Sequence, residues 1–148
     1  MDIRFATSDD AAAVGRLLHD FNVEFDEPTP SAGHLARRIV ELIADRTSVL
    51  LAGGDVGLVV LRFQPSIWTD NLECYLAELY VRPKHRGKGT GHALVRAALT
   101  HARERGADYI HLGTSEDDVA ARHLYEKCGF RRTEGDGGPL MFVYEREL

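Results

Sequence analysis

The stretch with the most chemical content is Arg86-Gly87-Lys88-Gly89-Thr90-Gly91. Three alternating glycines remove side chains where a ligand would have to approach the backbone closely. The residues that follow, with Leu94, Val95, Ala98, Leu99 and Ala102, have the apolar spacing of a helix. A helix opening at the glycines directs unpaired N–H groups and the positive end of its dipole at one spot. Arg86 and Lys88 add full charges there, and the combination suits a pyrophosphate. A P-loop is excluded, because it requires Gly-Lys-Ser/Thr at the helix entry and Lys88 is followed by Gly89. A dinucleotide fold carries its glycines after the first strand of a βαβ series; here they lie mid-chain, behind a run of strands.

Other chemistries have less support. His92 and His101 fall on opposite sides of a helix and lack a His-Glu-x-x-His context, so the histidines do not imply a metal. Cys74 lies in a strand with no base partner and reads as a small buried apolar residue. Gly-x-Ser-x-Gly is absent from the sequence, which removes serine hydrolase chemistry. Two cysteines, Cys74 and Cys128, make no disulfide framework and point to a reducing cytosol.

With 18 Lys and Arg against 23 Asp and Glu, the net charge of −5 argues against nucleic acid as a partner. The balance is uneven. From Arg82 to Arg105 seven basic residues face Glu104 alone, while Asp20 to Glu27 holds four acids and no Lys or Arg. A basic island in an acidic protein fits a small anionic ligand held at one place. No apolar run approaches the roughly 20 residues that span a bilayer, and the first residues, Met1-Asp2-Ile3-Arg4, are not those of a signal peptide.

The elements that must carry these residues follow from periodicity and punctuation. The 148 residues suit one domain. Ile3–Phe5 reads as a strand, and Thr7 as an N-cap leading to a helix that ends near Phe21. Beyond Pro28 and Pro30, a second helix carries Leu35, Ile39, Leu42 and Ile43. A hairpin around Gly53-Gly54-Asp55 and a strand from Glu73 to Val81 precede the glycine loop. After its helix come a strand at Tyr109–Leu112, a helix from Asp118 to Cys128, and two closing strands near Phe130–Thr133 and Leu140–Tyr144. The order β-α-α-β-β-β-α-β-α-β-β predicts an α/β domain of the α+β type, with a mixed, mainly antiparallel central sheet flanked by helices.

The segment Tyr75-Leu76-Ala77-Glu78-Leu79-Tyr80-Val81-Arg82-Pro83, followed by the loop from Arg86 to Gly91, resembles motif A of the GNAT superfamily of acetyltransferases. The family pattern Arg/Gln-x-x-Gly-x-Gly/Ala is met from Arg86 to Gly91. Ala121-Arg122-His123-Leu124-Tyr125-Glu126-Lys127-Cys128-Gly129-Phe130 is similar to motif B, Ala-x-x-Leu-Tyr-x-x-x-Gly-Phe. With Ile3, Arg4, Ala6 and Thr7 also fitting, the resemblance covers nearly the whole chain in the correct order, and the strand before the glycines is most similar to that of polyamine and diamine acetyltransferases.

The resemblance implies a single GNAT domain over residues 1–148, acetyl-CoA as co-substrate, a primary amine as acceptor, and direct attack in a ternary complex. It implies that the N–H groups of Arg86, Gly87, Lys88, Gly89, Thr90 and Gly91 bind the CoA pyrophosphate. The strand ending Leu79-Tyr80-Val81 is expected to diverge from Tyr109–Leu112 and offer an open edge to the pantetheine, with an N–H near Leu79 polarising the thioester carbonyl. Tyr125 matches the tyrosine that protonates the departing thiolate. An alkyl amine, with a pKa of about 10.4, must lose a proton before it attacks, and Glu78 is the first candidate base, Glu73 the second. Ala77 stands where polyamine enzymes place a first acid, and Asp118 where the family usually has a cofactor-contacting Asn. Acceptor residues are sought among Phe21, Glu24, Phe25, Asp26, Glu27 and Trp68, an acidic and aromatic set that suits a cationic amine, with Glu73 also counted among them. Proteins of the family it resembles are often dimers, which makes a homodimer an open expectation, and the cysteine usage points to the cytoplasm; a non-catalytic acyl-CoA sensor is the alternative reading.

Overall fold

The computed structural model describes residues 2–148, which divide into two compact units, one reaching Leu112 and the other Gly113–Leu148. The first unit is built on a five-stranded sheet in the order β1 (Ile3–Phe5), β2 (Thr47–Ala52), β3 (Gly57–Pro65), β4 (Leu72–Val81), β5 (Ala107–His111). Neighbours are antiparallel except β4 and β5, which run parallel, as their connection through a helix requires. Helices α1 (Ala11–Glu24) and α2 (Ala32–Ile43) lie between β1 and β2 in sequence, and α3 (Thr90–Glu104) joins β4 to β5.

Strand alternation sorts the core into two layers. Val49, Leu51, Leu58, Val60 and Tyr80 share one sheet face and cluster with Val14, Leu17 and Ile39 of α1 and α2. The opposite positions, Leu50, Val59, Leu61, Phe63, Cys74 and Leu76, are also buried, and α3 packs against β2, β3, β4 and β5 with Leu94, Val95, Ala98 and Ala102 buried. The sheet is thus covered on both faces. Thr7 caps a single 3₁₀ turn, Ser8–Asp10, through a reciprocal capping box with Asp10, and α1 continues from it to Glu24, one turn beyond the expected end at Phe21. That extra turn carries Glu24.

In the second unit, α4 (Val119–Lys127) is capped by Asp118, whose Oδ1 accepts the Ala121 N–H at 3.2 Å. The two closing strands expected here do not form among the described residues. Their segments meet at one antiparallel bridge, Thr133 to Leu140, supported by hydrogen bonds from Glu134 N to Pro139 O and from Met141 N to Arg132 O, both 2.9 Å. A lone two-stranded pairing is marginal without an apolar face to bury, and Phe142, Val143 and Tyr144 are all largely exposed.

Candidate active site

The feature that shapes the site is a split in the sheet. Strand β4 pairs with β3 along its whole length, but the register steps from Leu61–Leu76 to Val60–Glu78, leaving Ala77 as the extra residue of a bulge. On its other side β4 pairs with β5 only from Leu72–Ala107 to Tyr75–His111. Past Tyr75 the ladder stops, so the edge from Leu76 to Val81 lies beyond the reach of β5. The Arg82 N–H donates to Val56 O at 2.9 Å, toward β3. Alternation therefore turns the main chain of Leu79 and Val81 the other way, and Val81 O accepts from Arg86 Nε at 2.9 Å. Main-chain groups on such an edge need partners, and an extended ligand can supply them by adding itself as a strand.

The edge runs directly into the glycine loop. A 3₁₀ turn, Pro83–His85, reverses the chain, and Gly89 begins α3 as its N-cap with φ 82°. Gly87 has φ 77°, and both conformations are ones that side chains rarely adopt. A Cβ at either position would meet nothing within 4 Å, so the turn faces open space. No side chain caps α3, and its first turn holds no acid. Thr90 is buried, and among the described residues its Oγ1 has no hydrogen-bond partner. Bare N–H groups at a helix start, open space before them, an orphaned hydroxyl and the exposed Lys84 and Lys88 fit a phosphate ligand.

Arg86 is the exception. It counts in the sequence as a loop charge, yet its Nη1 lies 2.8 Å from Glu24 Oε2 and its Nη2 donates to Glu24 Oε1 at 2.9 Å. The Tyr80 hydroxyl donates to the same Oε1 at 2.9 Å. Arg86, and to a smaller degree Tyr80, hold the Glu24 carboxyl below the usual glutamate range. Burial, reinforced by Glu24, pushes the Tyr80 hydroxyl up to about 12. The Tyr80 ring stacks on Phe21 at 4.8 Å, and Phe25 meets Phe21 edge-on at 5.4 Å. A parallel pair lies one turn back along α1, where Arg82 Nη1 donates to Asp20 Oδ2 at 2.7 Å and lowers its carboxyl.

Glu78 follows the bulge and, by alternation, shares the sheet face of Tyr80. Its side chain is open to solvent, yet surrounded closely enough that desolvation raises its carboxyl above the ordinary value. Glu73 lies in the paired part of β4, accepts from Gln64 Nε2 at 2.8 Å and has Tyr109 beside it in the ladder. Trp68 is 89% exposed on the β3–β4 loop. The expected acceptor set is therefore divided: Trp68 and Glu73 lie at one end of β4, Glu24 and Phe25 at the other, since the eight steps from Leu72 to Tyr80 extend roughly 26 Å. Asp20, part of the acidic run but unassigned from sequence, and the Tyr80 hydroxyl belong to the site's framework; the signal for them is that Asp20 and Glu24, like Arg82 and Arg86, are four residues apart.

In the second unit Tyr125 is buried on α4, edge-on to Phe130 with ring centroids 5.7 Å apart. The Phe130 N–H donates to Tyr125 O at 3.0 Å, so the Gly129-Phe130 turn closes the helix on the tyrosine. Among the described residues no group of three or more His, Cys, Asp or Glu is placed to hold a metal, and no helix is long and apolar enough to cross a membrane.

Residues 16–130 match the model of the Acetyltransferase (GNAT) family. The Bacillus subtilis (strain 168) protein described as the uncharacterized N-acetyltransferase YhfO is 30% identical over 138 residues, covering 91% of this chain and 93% of that protein. Streptothricin acetyltransferase of Streptomyces lavendulae is 34% identical over 90 residues, 59% of this chain; the match spans 46% of that enzyme, so the chain covers only about half of it. The crystal structure of a candidate acetyltransferase from Arthrobacter sp. FB24 superimposes with a TM-score of 0.91 at 43% identity, covering 100% of this chain and 96% of that one.

Proposed function

The chain belongs to the acetyltransferase (GNAT) family, and from that premise we propose that it is an N-acetyltransferase that moves an acetyl group from acetyl-CoA to a primary amine by direct attack in a ternary complex. The observation that carries this reading is the split sheet. A strand edge freed beyond Tyr75–His111 leads straight into a glycine turn at the start of α3. A ligand with an extended amide-bearing arm and a pyrophosphate matches that sequence of features in order.

In this reading acetyl-CoA supplies the acetyl group as a thioester. The N–H groups from Arg86 to Gly91 and the α3 dipole hold its pyrophosphate, with Lys88 adding charge. Leu79 and Val81 pair with the pantetheine arm along the open edge. The Leu79 N–H polarises the reacting carbonyl, where negative charge develops as the amine attacks. Glu78 takes the proton from the ammonium, and its raised carboxyl keeps it a better base than an ordinary glutamate. Tyr125 returns a proton to the departing thiolate. Glu78, a carboxylate exposed on β4, favours a cationic acceptor. Among the relatives are a streptothricin acetyltransferase and a mycothiol acetyltransferase.

The test is thiol release from acetyl-CoA across spermidine, putrescine, free lysine, a lysine peptide and an aminoglycoside, with wild type beside Tyr125→Phe. Turnover with a cationic amine, reduced in the variant at unchanged CoA affinity, supports the reading. CoA binding with no turnover on any amine supports the sensor alternative.

A further inference from the structure

The turn between β4 and the glycine loop is held from outside by α1. Asp20 and Glu24, one helical turn apart, face Arg82 and Arg86, which bracket the 3₁₀ turn Pro83–His85. Each arginine also grips main chain: Arg82 Nε donates to Asp55 O at 2.8 Å and Arg86 Nε to Val81 O at 2.9 Å. In Arg86 all three nitrogens are engaged, Nε on Val81 and both Nη atoms on Glu24, so the fork is filled by protein groups. Glu24 is satisfied in turn at both oxygens, one of them shared with the Tyr80 hydroxyl.

From this geometry we propose that Glu24 is a positioning residue for the acyl-CoA site, acting through Arg86. By fixing the guanidinium it fixes two things at once: the Val81 carbonyl, on the edge where the pantetheine would pair, and the path of the chain into Gly87 and Gly89. Without Glu24 the guanidinium keeps its charge but loses the bidentate, charge-assisted anchor that orients it, and the closure of the chain between Val81 and Arg86 is free to open. Glu24, grouped by composition with the acceptor residues, thus acts on the cofactor side. The phosphate would be held by main-chain N–H groups and lysine, with Arg86 as a strut rather than a ligand. The proposal rests on the reading of the glycine loop as an acyl-CoA site.

The test is isothermal titration of CoA into wild type, Glu24→Ala, Glu24→Gln and Arg86→Lys, with thermal melting of each. Glu24→Ala is expected to weaken CoA binding about tenfold at a stoichiometry still near one, the size expected for losing a hydrogen bond to a charged group. Glu24→Gln, which keeps an acceptor for Tyr80 and a neutral bond to Arg86, is expected to lose only about threefold. Arg86→Lys, which cannot hold Val81 O and Glu24 together, behaves as Glu24→Ala and carries the test if Glu24→Ala does not fold. A purely structural pair would lower the melting temperature or the binding-competent fraction while leaving the dissociation constant unchanged, and that result overturns the proposal. Tighter CoA binding by Glu24→Ala also overturns it, because Glu24 would then be competing with phosphate for Arg86. So does an unchanged CoA affinity with a raised KM for the amine, which would return Glu24 to the acceptor side. Failure of the wild type to bind CoA removes the acyl-CoA reading itself and this proposal with it.

Discussion

Replacing Glu78 by Gln preserves shape and removes only the proton-accepting carboxylate, which makes it the sharpest test of the proposed chemistry. A positioned general base contributes about 10²–10⁴-fold to rate. Glu78 stands open to solvent, so water can replace part of its function, and the expected loss in kcat/KM lies near the lower end, about 10²-fold, or roughly 2.7 kcal/mol of transition-state stabilisation. The pH profile gives an independent reading. Desolvation raises the Glu78 carboxyl, so the acid limb of kcat/KM should lie above the ordinary glutamate range and disappear in the variant. The same shift has a stability consequence of definite sign. The folded protein holds this proton more tightly than the unfolded chain, so stability is lost as pH rises through the folded pKa. Glu78→Gln should therefore melt with wild type at the acid end and above it at neutral pH. The assay is thiol release at saturating acetyl-CoA with the best amine of the panel, from about pH 5, just above the ordinary glutamate value, to about pH 9, with Glu73→Gln beside it. Glu73 is bonded to Gln64 within the paired part of the sheet, and its variant should stay within about threefold of wild type. A Glu78→Gln enzyme within about twofold of wild type, its acid limb intact, would refute the assignment of the base.

Gly89→Ala forces a side chain into a left-handed φ of 82° at the start of α3, costing about 1 kcal/mol or more; CoA affinity measured by titration should fall at least about tenfold if the turn relaxes and its N–H groups turn away. Tyr125→Phe should lower kcat by about 10²-fold while CoA binding is unchanged, the mark of a proton donor rather than a binding group. Gly15→Ala tests the α1–α2 contact: its Cβ would collide with Ala32 O and lie 2.9 Å from Ala36 N, so thermal melting should show a loss of about 1–3 kcal/mol. His101 bonds Ser48 Oγ at 2.9 Å and lies edge-on to Phe5 and Phe63, and burial depresses its pKa. Its folded form resists the proton that the unfolded chain accepts, so stability should drop as pH falls below the ordinary histidine value, and His101→Gln should flatten that slope in melts between pH 7.5 and 5.5, about one unit to either side of it.

What was legible in the sequence was what local spacing determines. The glycine loop and its helix are written in consecutive residues, and the structure starts α3 within one residue of the expected place because Gly89 in the left-handed region is itself the helix boundary. The strand order up to β5 follows from turn residues that interrupt apolar runs. The split in the sheet is different in kind. Its position depends on the bulge at Ala77, which is set by how β4 registers on β3, and on β5 ending at His111; neither is encoded near the residues it exposes. The closing strands show the converse failure, since Leu140–Tyr144 has strand composition yet its side chains stay exposed.

Composition counts charge without its partners. Grouping Glu24 with Trp68 as an acidic and aromatic set ignored the length of β4 between them, and adding Arg86 to the loop's charge ignored an acid 62 residues away that engages both its terminal nitrogens. With Arg86 closed off by Glu24, and Arg82 by Asp20, the positive potential at the start of α3 comes from main-chain N–H groups, the helix dipole and Lys84 and Lys88. The dipole acts only within the first turn, and exposed lysines are screened by salt. In the proposed acyl-CoA site, affinity for the pyrophosphate must then depend more on the exact path of the glycine turn than on the basic residues around it. Lys88→Ala should accordingly weaken CoA binding less than Gly89→Ala does, and the lysine's effect should shrink as ionic strength rises while the glycine's persists. A lysine effect larger than the glycine's at high salt would show instead that charge, and not backbone geometry, holds the ligand.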